Sequence, residues 1–295
     1  MVTDWLHNPR ALMLMPPIAA AVCALLLAAT RRRMPTEEPR PRLVRALIVV
    51  AFWIMSLAVQ FAVLGRWSLM LLMPPMGLGA AVWLSLAAKV LGTALFFGWL
   101  IPWGIEGRSM REIGWKRHHA IRYFFIAAII TFVVASVSPM RGLPQDLKQT
   151  LGVQDVHAGA IIGMPIPLMW VSLMGFVYSG WAEENFYRGH LLPAFREVGL
   201  SGRGANMAQA GIFMLMHVPG LFASLSAERA ALGPSGMLTA IVFPIVGWWL
   251  WGLLFGWLRM RFDSIVPGFA VHGTWNAVYL ARTWIGAFVV MQQLS

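Results

Sequence analysis

Eight long apolar runs leave this chain with few ways to fold. They lie at about Ala11–Thr30, Ala46–Leu64, Pro75–Ile101, Arg122–Ser138, Ile161–Trp181, Ala205–Pro219, Leu238–Leu258 and Ile265–Met291. A membrane-spanning helix needs about 20 mostly apolar residues, and most of these runs are close to that length. Composition agrees: 59% of the 295 residues are apolar and only 12% are charged, where a soluble domain carries roughly 25% charged residues. A cytosolic enzyme and a disordered chain are excluded, and a single cysteine, Cys23, excludes a disulfide-stapled secreted domain. The sequence predicts an all-α fold, a polytopic membrane bundle of about eight transmembrane helices. Backbone polar groups in lipid must be satisfied within each helix, so Pro165, Pro167, Pro244 and Pro267 predict kinks or breaks.

The net charge of +11 comes with no basic helix, zinc spacing or aromatic RNA motif, so nucleic acid is not an expected partner. The basic residues instead alternate between loops. Arg31, Arg32, Arg33, Arg40, Arg42 and Arg45 follow the first run. Arg108, Arg111, Lys116, Arg117 and Arg122 follow the third. Arg188, Arg196 and Arg203 follow the fifth, and Arg259 and Arg261 the seventh. The opposite side has only Arg10, Arg66, Arg141, Lys148 and Arg229. The positive-inside rule makes the richer side cytoplasmic and puts both termini outside. The bias to Arg over Lys is associated with a GC-rich bacterial genome, which suggests the inner membrane.

Run one is followed directly by three arginines, a stop-transfer flank, and reads as a retained helix rather than a cleaved signal. Pro35, Glu37, Glu38, Pro39 and Pro41 predict an irregular cytoplasmic linker. Gly252 and Gly256 form a small-xxx-small pattern that suits helix packing. No domain-length repeat is present. The organisation expected is one continuous transmembrane domain, with a four-helix region over 1–150 and a core over 151–295.

Ionisable residues at membrane depth are costly and mark function. With only 12 acids in the chain, the adjacent pair Glu183 and Glu184 stands out. The pair is expected at the cytoplasmic end of the fifth span. Adjacent positions lie about 100° apart around an α-helix, and Arg188 follows Glu184 at i+4, the favourable order for an ion pair. Glu184 is therefore assigned to Arg188, and Glu183 is left to act elsewhere. The sixth span adds Phe213 and His217 on one face, and the eighth adds His272 and Asn276 on one stripe. Each of these has an ordinary reading: a charged helix end, a packing histidine, an interhelical hydrogen bond. Their recurrence on three spans argues for chemistry. Glu183 with His217 is suited to hold and deprotonate a water. His272 and Asn276 are suited to donate hydrogen bonds to a developing oxyanion.

The pattern Glu183-Glu184-x-x-x-Arg188, then Phe213-x-x-x-His217, then His272-x-x-x-Asn276 resembles the CAAX protease and bacteriocin-processing family, also called Abi or Rce1-like. The resemblance covers about residues 160–290. It implies a glutamate-type intramembrane endopeptidase open to the cytoplasm. In it Glu183 and His217 activate water, His272 and Asn276 serve the oxyanion, and neither a metal nor another cofactor is required. The substrate it implies is a protein or peptide with a membrane-associated C-terminal tail, which is prenylated in some members. In the bacterial myxosortase branch it is a sorting tail.

Three rival readings stand beside this one. A zinc metalloprotease would ligate the metal with Glu183, His217 and His272, although no His-Glu-x-x-His is present. An immunity or scaffold protein would use the cluster only to tie helices. A transporter would show matching halves, and none are found. His118, His119, Asp155 and His157 read as loop residues, His190 as a neighbour of the first motif, and Lys89 and Arg282 as snorkelling or paired cations. The 15 tryptophans read chiefly as interfacial belts.

Overall fold

The computed structural model describes residues 39–64, 95–116, 120–137 and 173–279, and among these there is no strand. The first predicted span lies outside the described residues, as do Cys23, Lys89, His118, His119, Asp155, His157 and Arg282. The all-α expectation holds. Helices run over Pro39–Leu64, Phe96–Ile105, Met110–Ile113 and Ala120–Val137. Further along are Leu173–Leu191, continued by Leu192–Glu197, and Gly202–Phe262, and residues 266–279 are also helical. The Phe96–Ile105 and Leu173–Leu191 segments have the wide π winding, a form that is rare and concentrated at functional sites.

Among the described residues, Gly236–Phe262 is long and apolar enough to cross a membrane alone, and Phe96–Ile105 and Ala120–Ala135 are shorter apolar helices. Two surfaces suit lipid. Ala120–Val137 exposes Phe125, Ile126, Ile129, Ile130 and Val133, and Gly236–Phe262 exposes Phe243, Val246, Leu250 and Trp257. A monomeric soluble protein rarely shows continuous apolar faces of this kind.

Gly202–Phe262 would span about 90 Å if straight, but it doubles back. Asn206 Nδ2 donates to the Leu253 carbonyl at 3.0 Å and Gln209 Nε2 to that of Gly252 at 2.8 Å. His217 stacks on Trp248 farther along. Each step forward on one limb is matched by a step back on the other, so the limbs are antiparallel, with Gly233-Pro234-Ser235-Gly236 midway between them. Gly252 and Gly256 make the close approach possible. A Cβ at Gly252 would come within 2.9 Å of Ala210, and one at Gly256 would collide with Asn206. The pattern therefore serves packing within one chain.

The linker expected around Pro39 and Pro41 is corrected: both prolines lie in the first turn of a helix. Proline is tolerated there because first-turn N–H groups have no intrahelical acceptor. The loop assignment of Arg45 is also corrected, since it lies within Pro39–Leu64, whereas Arg108 does lie in the loop after Phe96–Ile105. Arg45 is buried, and its Nε and Nη2 each donate to Glu106 at 2.8 Å. Arg108 is likewise buried and its Nη2 reaches both oxygens of Glu197, at 2.8 and 2.9 Å. These pairs join Pro39–Leu64, the 95–108 segment and Leu192–Glu197 at one end of the bundle. One apolar core lies behind them and includes Val49, Val50, Phe97, Ile101, Phe186, Leu191 and Phe213, with Trp53 against Phe97 and Phe97 against Phe186.

The 107–116 loop closes over the turn before the last described helix. Ser109 caps Met110–Ile113 in a reciprocal box with Glu112. The Ser109 backbone N–H donating to its carboxylate, together with the Ser109 hydroxyl, holds Glu112 below its ordinary pKa of 4.5. Lys116 pairs with Asp263, which also takes Arg259 Nη1 at 2.9 Å. Asp263 adopts the left-handed conformation (φ 49°) that ends the long helix. The Ile265 N–H then donates to the Gly114 carbonyl at 3.1 Å, which fixes where residues 266–279 begin.

Candidate active site

The acid pair is not at a helix end. Glu183 and Glu184 lie deep in Leu173–Leu191, and the helix continues through Glu197. The sequence reading ended this span where hydropathy falls, but the polar side chains after Trp181 turn inward and find partners, so no helix end is required. Glu184 is fully buried and Glu183 is 9% exposed.

Glu184 is the hub. Arg188 Nη1 lies 3.1 Å from its Oε1, the ion pair that the i,i+4 spacing predicts. His272 Nδ1 lies 2.9 Å from the same oxygen. A Cβ at Gly268 would stand 2.8 Å from Glu184 Oε2, so the last helix must present glycine there for the carboxylate to fit. The Arg188 guanidinium carbon is 4.5 Å from the Phe213 ring centroid and 4.9 Å from that of Phe255. Stacking of this kind suits guanidinium, which is weakly hydrated and planar. It also gives Phe213 a physical role: it holds the cation that holds Glu184. The His272 ring stacks on Phe255 at 4.6 Å.

The hydrogen bonds fix proton positions. A carboxylate paired with guanidinium can only accept, so His272 Nδ1 donates to Glu184. The other nitrogen, Nε2, then faces Glu183, whose Oε2 is 3.8 Å away. On the sixth predicted span, His217 Nδ1 lies 2.8 Å from the Phe213 carbonyl. A carbonyl also only accepts, so Nδ1 carries the proton and Nε2 is the acceptor of the neutral ring. The ring lies 4.9 Å from that of Trp248, nearly parallel to it.

The structure thus brings Glu183, Glu184, Arg188, Phe213 and His272 into one contact set. His217 adjoins it through Phe213, with ring centroids 4.7 Å apart. Among the described residues no hydrogen bond joins His217 to Glu183. Asn276 lies one turn beyond His272 and is half-buried. Beside Glu183 is a cavity of about 20 Å³, walled by Trp53, Phe97, Phe186, Tyr187 and Met216. Glu183 Oε2 is buried and has no hydrogen-bond partner among the described residues.

Several neighbours were not legible in the motifs. Asn185 Oδ1 accepts from Trp115 Nε1 at 2.6 Å, and Trp115 packs on Trp181 and Phe269. Trp53 and Phe97 reach the cavity from helices far away in sequence. His190 is buried, but its Nδ1 accepts from Arg108 Nε at 3.4 Å instead of meeting the acid pair. Among the described residues no three His, Cys, Asp or Glu side chains converge as metal ligands would.

No match emerges among curated proteins or among solved structures. Residues 165–278, which contain all three motifs, match the family described as Type II CAAX prenyl endopeptidase Rce1-like. Through that segment the chain resembles the Rce1-like type II CAAX prenyl endopeptidases.

Proposed function

We propose that this protein is a glutamate-type intramembrane endopeptidase in which Glu183 and His217 activate the attacking water. The observation that carries the reading is a buried carboxylate facing a cavity of about 20 Å³, which is room for a single water. Ionised Glu183 and His217 Nε2 are both acceptors. A water between them would direct one O–H to each and leave a lone pair for the substrate carbonyl. As its oxygen bonds the carbonyl carbon, a proton passes to Glu183. When the C–N bond breaks, that proton goes to the leaving amine, so the carboxylate ends as it began.

The position of His272 suits it as the oxyanion donor: Glu184 holds its Nδ1 at 2.9 Å and its Nε2 faces the Glu183 side of the site. In that role the ring carries a proton on both nitrogens. Nε2 then has a proton to offer to the carbonyl oxygen as negative charge develops, and Asn276 supplies the second donor. Glu184 and Arg188 keep the ring aimed.

The substrate class that fits is a protein whose C-terminal tail is lipidated or anchored in the membrane, cut near that tail. The excess of basic residues on one side supports a bacterial inner-membrane protein with its catalytic side toward the cytoplasm. Purified protein should cleave a farnesylated CAAX peptide in detergent micelles, and Glu183→Gln should lower kcat by at least about a thousandfold with folding intact. Cleavage by Glu183→Gln at the wild-type rate would refute the mechanism. Mass spectrometry of membrane-protein C-termini, with and without active enzyme, separates prenylated tails from sorting tails.

A further inference from the structure

We infer that Trp53 sets the size of the substrate side chain accepted beside the scissile bond; this rests on the endopeptidase reading and names a determinant of its specificity. The cavity next to Glu183 is about 20 Å³, which the attacking water fills, so a substrate side chain brought alongside it meets the cavity wall with little room to spare. The substrate residue that comes against Glu183 during attack must flank the bond being cut, so the wall of this cavity limits it. Trp53 and Phe97 form part of that wall, and both lie outside the 165–278 segment that carries the motifs.

The wall is firm. Trp53 and Phe97 are buried and meet edge to face at 4.6 Å, and Phe97 meets Phe186 the same way at 5.2 Å. Arg45 lies two helical turns before Trp53 on the same buried stripe as Val49. Its double hydrogen bond to Glu106 fixes the Trp53 helix against the helix that carries Phe97. A close-packed aromatic wall anchored in this way does not yield to a larger group. The geometry therefore favours a residue with a small apolar side chain over leucine or phenylalanine.

The test uses full-length protein in micelles and farnesylated peptides carrying Ala, Val, Leu or Phe at either position flanking the scissile bond. The wild type should prefer Ala to Leu at one of these positions by about tenfold or more in kcat/KM. In Trp53→Ala the Leu-to-Ala ratio there should rise by about tenfold, whatever the change in absolute rate. Trp53→Phe, which removes less of the wall, should give a smaller rise and serves if Trp53→Ala does not fold. Ratios unchanged in a variant that still cleaves would overturn the role of Trp53 and leave the endopeptidase intact. Peptides cleaved equally by Glu183→Gln, or cleaved by no form of the protein, would overturn the underlying reading and this inference with it.

Discussion

Arg188 and Glu184 should prove strongly coupled in a double-mutant cycle. Their side chains are 0% and 1% exposed, and they lie 3.1 Å apart. Arg188→Met leaves a carboxylate in the core with His272 alone to meet it. Glu184→Gln leaves a guanidinium held only by the rings of Phe213 and Phe255, a contact that contributes up to about 2 kcal/mol when desolvated. Breaking a buried pair from either side costs about 3–5 kcal/mol. At roughly 2–4 °C per kcal/mol for a chain of this size, each single variant should lose about 6–20 °C in Tm. The double variant removes both charges at once and leaves neither uncompensated. It should lose at least about 2 kcal/mol less than the two single losses together. The assay is thermal unfolding in detergent followed by tryptophan fluorescence. Losses that add in the double variant to within about 0.5 kcal/mol would refute the coupling and the hub role of Glu184.

Three further outcomes are expected. Gly268→Ala places a methyl group 2.8 Å from Glu184 Oε2; it should cost about 1–3 kcal/mol and lower kcat by misaiming His272, and unchanged kcat with unchanged Tm would count against the fit described. For Glu112, the folded carboxyl lies below its ordinary 4.5, so its stabilisation is present above that value and fades as pH falls through the folded one. Wild type should thus be more stable than Glu112→Gln at neutral pH and converge with it in acid, and parallel Tm curves would contradict the capping box. Strong chelators should leave peptide cleavage unchanged, and loss of activity restored by added Zn²⁺ would revive the metalloprotease reading.

The motif residues were legible because helical spacing is a local property. Glu184 with Arg188, and Phe213 with His217, follow from positions four apart on one face. The helical fold was legible from apolar run length for the same reason. The depth of the acid pair was not. Hydropathy scores Glu183 through Arg188 as polar and ends the span, whereas the partners that let these residues stay buried, His272 and Phe255, come from another part of the chain. The destination of His272 was likewise hidden: its spacing with Asn276 suggested a shared task, but nothing local shows that Nδ1 meets Glu184. The arginines show the same limit. A positive residue near a span end reads as a topology signal, and only the fold shows that Arg45 and Arg108 reach Glu106 and Glu197.

The core has a consequence for dissection and inheritance. Phe186, Tyr187 and Leu191 belong to the matched segment, yet their packing partners include Trp53, Phe97 and Ile101 from well before it. A fragment cut at residue 165 would leave one side of the glutamate helix bare, so the recognisable segment of this protein is not a transplantable part. Relatives that exchanged their early helices would exchange part of the chamber beside Glu183 while keeping every motif residue unchanged.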